Sequence, residues 1–408
     1  MTSLHKDPHN DRAQATAPSA GAAAGRSARA LVTRTADRDF RIPAVLHRDN
    51  QLTVFFDERP HPSGDFDWEN LGGAMAADLP NPNRICYITA ELPADAGASA
   101  ADSEAPAAGT PLRAQDLDFS APRPVPGTPA VCGDPCVAGA PASSATGAEA
   151  AAPTAAGSDA GSDAGSDAGN SDGNDAGITL AYAASEEIGY FGSRFDGPRL
   201  EAWIAWGTSL DSLTHTRVDD ELYSELRCDG LFATSGSTPL LGDTALLPYV
   251  TNRGGEAVIY VVHVRAGRIV AISEPIRPVG TPGLDETTLE VSGGEVIANI
   301  RLQGRGGRVV ARSSDGLTWS APQPLSLPDP GCNAKLITCG DDTVLIHPHS
   351  DTARENGAIV DDAGRLLRSL GPGEFGYSDA VWLSDSLAVV FERENSLYLD
   401  LIPGSELR

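Results

Sequence analysis

Short apolar runs of strand length recur along the chain, each closed by Gly, Pro, Asp or Asn. Residues 51–56, 85–89, 199–206, 256–264, 296–302, 343–347 and 387–391 are examples. In Glu201-Ala202-Trp203-Ile204-Ala205-Trp206 and Tyr260-Val261-Val262-His263-Val264 aromatic and β-branched residues dominate, the types that suit a pleated, half-buried surface. No long segment holds a period of 3.6 residues, the mark of an amphipathic helix. Strands about ten residues apart, separated by turn signals, predict an all-β sandwich, barrel or propeller.

Two stretches break this pattern. The first 30 residues are rich in Ala, Pro and Ser, and residues 91–177 hold 13 acidic residues against two arginines, with Phe119 the one aromatic. The second stretch ends in Gly157-Ser158-Asp159-Ala160 repeated with period four through Gly169. Low hydrophobicity with one sign of charge buries too little surface to offset chain entropy, so both stretches are expected to be disordered. The remaining residues of 31–408, about 290 in number once 91–177 is set aside, suffice for one large all-β domain. On this reading the low-complexity stretch is a loop extruded from that domain, because lengthening a loop costs little.

Charge narrows the partners. With 30 basic and 56 acidic residues the formal net charge is -26, which argues against nucleic acid and anionic membranes, since phosphate binding needs a basic surface. A monomer is expected. No run of 18 apolar residues is present to span a bilayer. Met1-Thr2-Ser3-Leu4-His5-Lys6 lacks the apolar core of a signal peptide, so the expected compartment is the cytoplasm. Six cysteines are few for a disulfide framework in a chain this long. Cys132 and Cys136 fall in the low-complexity stretch, whereas Cys332 and Cys339 flank an expected strand as reduced packing residues.

Candidate chemistry lies in a few ordered strings. Phe40-Arg41-Ile42-Pro43 is followed by Asp57-Glu58-Arg59-Pro60, then by Asp78-Leu79-Pro80-Asn81-Pro82-Asn83. Arg301, Arg354 and Gly376-Tyr377-Ser378 come later. Arginine forks pair with carboxylate oxygens, so several of them aimed at one point suit an anionic sugar. In this order the set resembles the sialidases (neuraminidases), hydrolases that release terminal sialic acid. The resemblance runs over residues 38–88 and 280–395.

That resemblance implies a six-bladed β-propeller and a retaining exo-α-sialidase, with a sialylated glycan as substrate and no cofactor or metal. By the same resemblance Arg41, Arg301 and Arg354 clasp the sugar carboxylate, and Glu392 orients Arg41. Tyr377 is the nucleophile. A neutral phenol avoids the repulsion that a carboxylate would meet beside the substrate's own carboxylate. Glu286 serves Tyr377 as base, with Glu290 as a rival. Asp78 is the acid/base, with Asp65 and Asp67 as rivals. Arg59 matches an arginine on the side of the sugar's 4-hydroxyl. Ser313-Ser314-Asp315-Gly316-Leu317-Thr318-Trp319 resembles the aspartate box, a turn between outer strands of a blade.

Other readings stay open beside this one. A propeller that binds sialylated glycans without turnover, a trans-sialidase and a hydrolase of a related nonulosonic acid all fit the same residues. Residues 178–280 carry no motif for the N-acetyl and glycerol groups, although Tyr190, Phe191 and Phe232 are candidates. His347, His349 and Asp351 would share one strand face in a ligand-like pattern. Gly304-Arg305-Gly306-Gly307 reads as a hairpin turn.

Overall fold

A computed structural model describes residues 28–61, 78–93, 112–139, 177–280, 283–304 and 306–407. Six sheets, antiparallel except where the short Gly236–Ser237 pairs in parallel with Cys132–Gly139, follow one another along the chain as the blades of a β-propeller. Blade 1 comprises Arg38–Arg48, Gln51–Pro60, Arg84–Glu91 and Arg123–Pro124, and blade 2 Cys132–Gly139, Ile178–Ala184, Glu201–Gly207 and Thr214–Arg217. Blade 3 uses Gly230–Ala233, Thr244–Arg253, Glu256–Arg265 and Arg268–Ile272. Blade 4 uses Leu284–Ser292, Glu295–Leu302, Arg308–Ser313 and Gln323–Leu325; blade 5, Lys335–Cys339, Asp342–Pro348, Glu355–Asp361 and Leu366–Glu374. Blade 6 takes Ser378–Leu383, Ser386–Arg393 and Ser396–Pro403 from the end of the chain and Arg29–Val32 from near its start.

The ring is therefore closed by pairing Arg29–Val32 with Ser396–Pro403, in register Arg29 to Leu399. Arg29 also donates to the carbonyl oxygens of Ala114 (2.9 Å) and Leu117. Strands in the middle of a blade are covered by neighbouring blades on both faces. This explains why Ala245, Leu246, Leu247, Pro248, Tyr249 and Val250 are buried without alternation. The core is accordingly a set of layers between successive blades: Val32, Phe40, Phe56 and Val390 between blades 6 and 1, and Leu246, Val261, Leu289 and Ala298 between blades 3 and 4.

Residues 112–139 correct the expectation of one disordered stretch over 91–177. Arg123–Pro124 completes blade 1, and Cys132–Gly139 is the innermost strand of blade 2. Its side chains are Cys, Ala, Val, Asp and Pro, so composition alone made it look like its surroundings. Small side chains suit a crowded axis, where Cys132, Cys136 and Ala138 are at most 2% exposed. Ala28, Arg29 and Ala30 are likewise part of the described structure. The tetrapeptide repeat lies outside the described residues.

Among the described residues one α-helix, Asp219–Leu226, falls where the sequence shows no long helical period, and it buries Asp219, Leu222, Tyr223 and Leu226. That spacing is helical, but two turns are too short to stand out in the sequence. In the turn after Arg308–Ser313, the Ser313 hydroxyl accepts the amides of Asp315 and Gly316, and Asp315 Oδ1 accepts those of Leu317 and Thr318. Trp319 packs on the layer between blades 3 and 4.

Candidate active site

Bulges in the blades carry several of the site's charged residues. Register shifts interrupt Arg38–Arg48 between Arg41 and Ala44, Cys132–Gly139 between Gly133 and Cys136, and Leu284–Ser292 between Leu284 and Thr287. A further shift in blade 5 falls between Glu355 and Gly357, beside Arg354. A bulge inserts an unpaired residue and re-aims its side chain. Ile42 (φ 60°) and Asp134 (φ 61°) both take the left-handed conformation at these points. For a β-branched residue such as Ile42 that conformation is strained, and it persists because the surroundings impose it. Pro43 and Pro135 both fall within these register shifts, where a missing amide breaks no ladder bond.

At the centre stands Tyr377, just ahead of the first strand of blade 6, with its hydroxyl donating to Glu286 Oε1. The other oxygen, Oε2, accepts Arg301 Nη1 at 2.5 Å. Arg301 Nε lies 3.6 Å from Asp285. The guanidinium of Arg41 sits over the Tyr377 ring at 5.7 Å and that of Arg354 at 5.5 Å. Three arginines from blades 1, 4 and 5 thus gather around one phenol. Glu392 holds Arg41 through Nη2 (3.2 Å) and Nε (3.4 Å), and its other oxygen accepts the amide of Ile42. Gly376 makes room for it, since a Cβ there would lie 2.5 Å from Glu392 Oε2.

Electrostatics follow from this packing. Burial raises the Tyr377 hydroxyl well above the ordinary phenol range and the Glu286 carboxylate adds to it, against the pull of Arg301 and Arg354. The phenol is therefore neutral at rest and needs a base to ionise. Asp285 is pushed up to about 6 by burial and by Glu286. Glu392 raises Arg41 further, which keeps that cation permanent.

On the blade 1 side, Arg59 is 2% exposed. Its Nη1 donates to Asp78 at 2.6 Å, its Nη2 and Nε donate to Asp57 at 2.9 and 3.2 Å, and Asp134 lies 3.9 Å away. Asp78 itself is exposed at the rim. Burial raises both Asp57, to about 6, and Asp134, and Arg59 offsets part of the cost in each. The amide of Asp134 donates to Asp57 at 3.1 Å.

All eight residues singled out in the sequence lie in this arrangement: Arg41, Arg59, Asp78, Glu286, Arg301, Arg354, Tyr377 and Glu392. Glu290 does not join it and instead accepts the Thr338 hydroxyl at 2.9 Å. Asp65 and Asp67 lie outside the described residues. Tyr190 meets Phe191 and Phe232, each at 4.9 Å between ring centroids, and packs with Leu79 beside Asp78. The sequence analysis assigns no role to Asp57, Asp134 or Asp285; for Asp134 the Gly-Asp-Pro step in Gly133-Asp134-Pro135 is a signal masked by low-complexity flanks. His347 and His349 touch, but the strand ends at Pro348 and Asp351 is exposed in the bend that follows.

No family model matches the chain, and no curated protein matches it. Solved structures do. The Hadza microbial sialidase Hz136 superposes with a TM-score of 0.63 at 15% identity, over 91% of this chain and 66% of that one. Trypanosoma rangeli sialidase, solved with 2,3-difluorosialic acid as a covalent intermediate, gives 0.56 at 13% identity over 93% and 59%. The NanB sialidase of Streptococcus pneumoniae gives 0.57 at 12% identity over 93% and 71%. The chain spans about two thirds or less of the length of the first two. What it shares with these sialidases is their six-bladed propeller fold.

Proposed function

We propose that the protein is an exo-α-sialidase that hydrolyses terminal α-linked sialic acid with retention, through a tyrosine nucleophile. The observation that carries this reading is the Tyr377–Glu286 hydrogen bond, ringed by Arg41, Arg301 and Arg354. A buried neutral phenol, a carboxylate base in contact with it and three fixed cations suit attack on an anomeric carbon that bears a carboxylate.

In the proposed cycle the arginines hold the substrate carboxylate. Asp78 leaves Arg59, takes up a proton from solvent and gives it to the glycosidic oxygen as that bond breaks. The Tyr377 oxygen bonds to the anomeric carbon and passes its proton to Glu286. Water then attacks the same carbon, loses a proton to Asp78 and releases the sugar, while Glu286 returns its proton to the phenolate. Two displacements give net retention.

Tyr377→Phe is expected to lower turnover of a fluorogenic sialoside by at least about 100-fold in a folded protein. Undiminished turnover in that variant would remove Tyr377 from the chemistry.

A further inference from the structure

Arg354 is held from behind by a single carbonyl: Gly331 O accepts its Nε at 3.3 Å and its Nη2 at 3.1 Å. Gly331 belongs to the turn Asp329-Pro330-Gly331-Cys332 between blades 4 and 5 and has φ +86°. The turn also faces Arg301, whose Nε would lie 3.6 Å from a Cβ at Gly331. Its conformation is therefore transmitted directly to Arg354.

A set of buried polar side chains fixes this turn. The Asp329 side chain is fully enclosed, as are those of Arg308 and His347. Asp329 Oδ1 accepts the Gly331 amide at 2.8 Å, while Oδ2 faces Arg308 Nη1 at 3.4 Å and His347 Nδ1 at 3.3 Å. Arg308 Nη1 also donates to Cys332 O at 2.8 Å, and its Nε donates to Asn299. The main-chain oxygen of Asp329 accepts the Gly307 amide at 3.0 Å. His347 is braced in turn by His349, Nε2 to Nδ1 at 3.3 Å. Although burial works against it, Arg308 and His347 hold the Asp329 carboxyl below the usual range. Buried ion pairs add little to stability compared with apolar packing, so such a cluster is better explained by the geometry it enforces.

We propose that Asp329, braced by Arg308 and His347, is a positioning residue that aims the Arg354 fork at the substrate carboxylate through the Gly331 carbonyl. The assignment of a carboxylate substrate rests on the function proposed above; the hold on Arg354 does not.

Two readouts separate these. Asp329→Asn keeps the shape of the side chain but removes the charge facing Arg308 and His347. In a variant shown to be folded by near-ultraviolet circular dichroism, KM for a fluorogenic sialoside should rise about tenfold with kcat nearly unchanged. Independently, the Nε–H resonance of Arg354, identified by its loss in Arg354→Lys, should shift or broaden in Asp329→Asn. A resonance that stays in place in the folded variant overturns the proposal, whichever way KM moves. If the wild-type protein does not turn over sialosides, the function fails, and the resonance still decides the positioning. Should Asp329→Asn not fold, His347→Gln gives the same readouts with the Asp329–Gly331 bond left intact.

Discussion

Single side chains here do two kinds of work, and Glu392 illustrates both. One oxygen holds the Arg41 guanidinium and the other accepts the Ile42 amide, so one carboxylate fixes a strained backbone and the cation projecting from it. His347 works differently. Burial lowers its pKa from the ordinary 6.5, with Asp329 partly opposing the shift and Arg308 and His349 reinforcing it. The unfolded chain takes up this proton as pH falls through about 6.5, whereas the native state resists it. The native state therefore binds fewer protons, and its stability declines with acidification. Wild-type Tm should fall more steeply than that of His347→Gln between about pH 7.5 and about pH 5.5. Parallel slopes in thermal melts would show that His347 has no part in the acid sensitivity.

Among elements, the bulged inner strands help decide where the candidate site sits. Gly133 in the blade 2 strand lies so close to blade 1 that a Cβ would stand 2.9 Å from Asp57 Oδ2. Asp57 is fully buried and holds Arg59, so it has nowhere to retreat. Gly133→Ala should destabilise the protein by about 1–3 kcal/mol, as overpacking does, read from the urea midpoint. Stability equal to wild type would mean that the blades can slide apart at this point. This contact also marks the limit of what the chain discloses on its own. Arg41 and Tyr377 stand in strings whose neighbours are distinctive, and the strands around them have clear apolar runs. Cys132–Gly139 forms from small residues whose suitability appears only when five other strands crowd the same axis. Asp134 was hidden with it. The link between Asp329 and Arg308 is likewise absent from the sequence pattern, because it joins a blade 4 strand to a turn 21 residues further on.

At the scale of the whole molecule, the acidic low-complexity stretch divides into parts of different standing. Residues 112–139 supply strands to blades 1 and 2, whereas 94–111 and 140–176 lie outside the described residues. Replacing 140–176 with a short turn should leave Tm within about 3 °C of wild type, since loop length carries a small entropic cost. Removing 91–177 entirely takes the innermost strand of blade 2 with it, and no cooperative melt is expected from that variant. Similar melts from the two deletions would contradict the strand assignment. Blade 6 imposes a last condition. Its strands come from opposite ends of the polypeptide, and Tyr377 and Glu392 belong to it. A nascent fragment already containing Arg41, Asp78, Glu286 and Arg301 thus lacks the phenol around which the arginines gather. On the function proposed above, activity is absent from any fragment that stops before Tyr377, so its onset marks the arrival of blade 6.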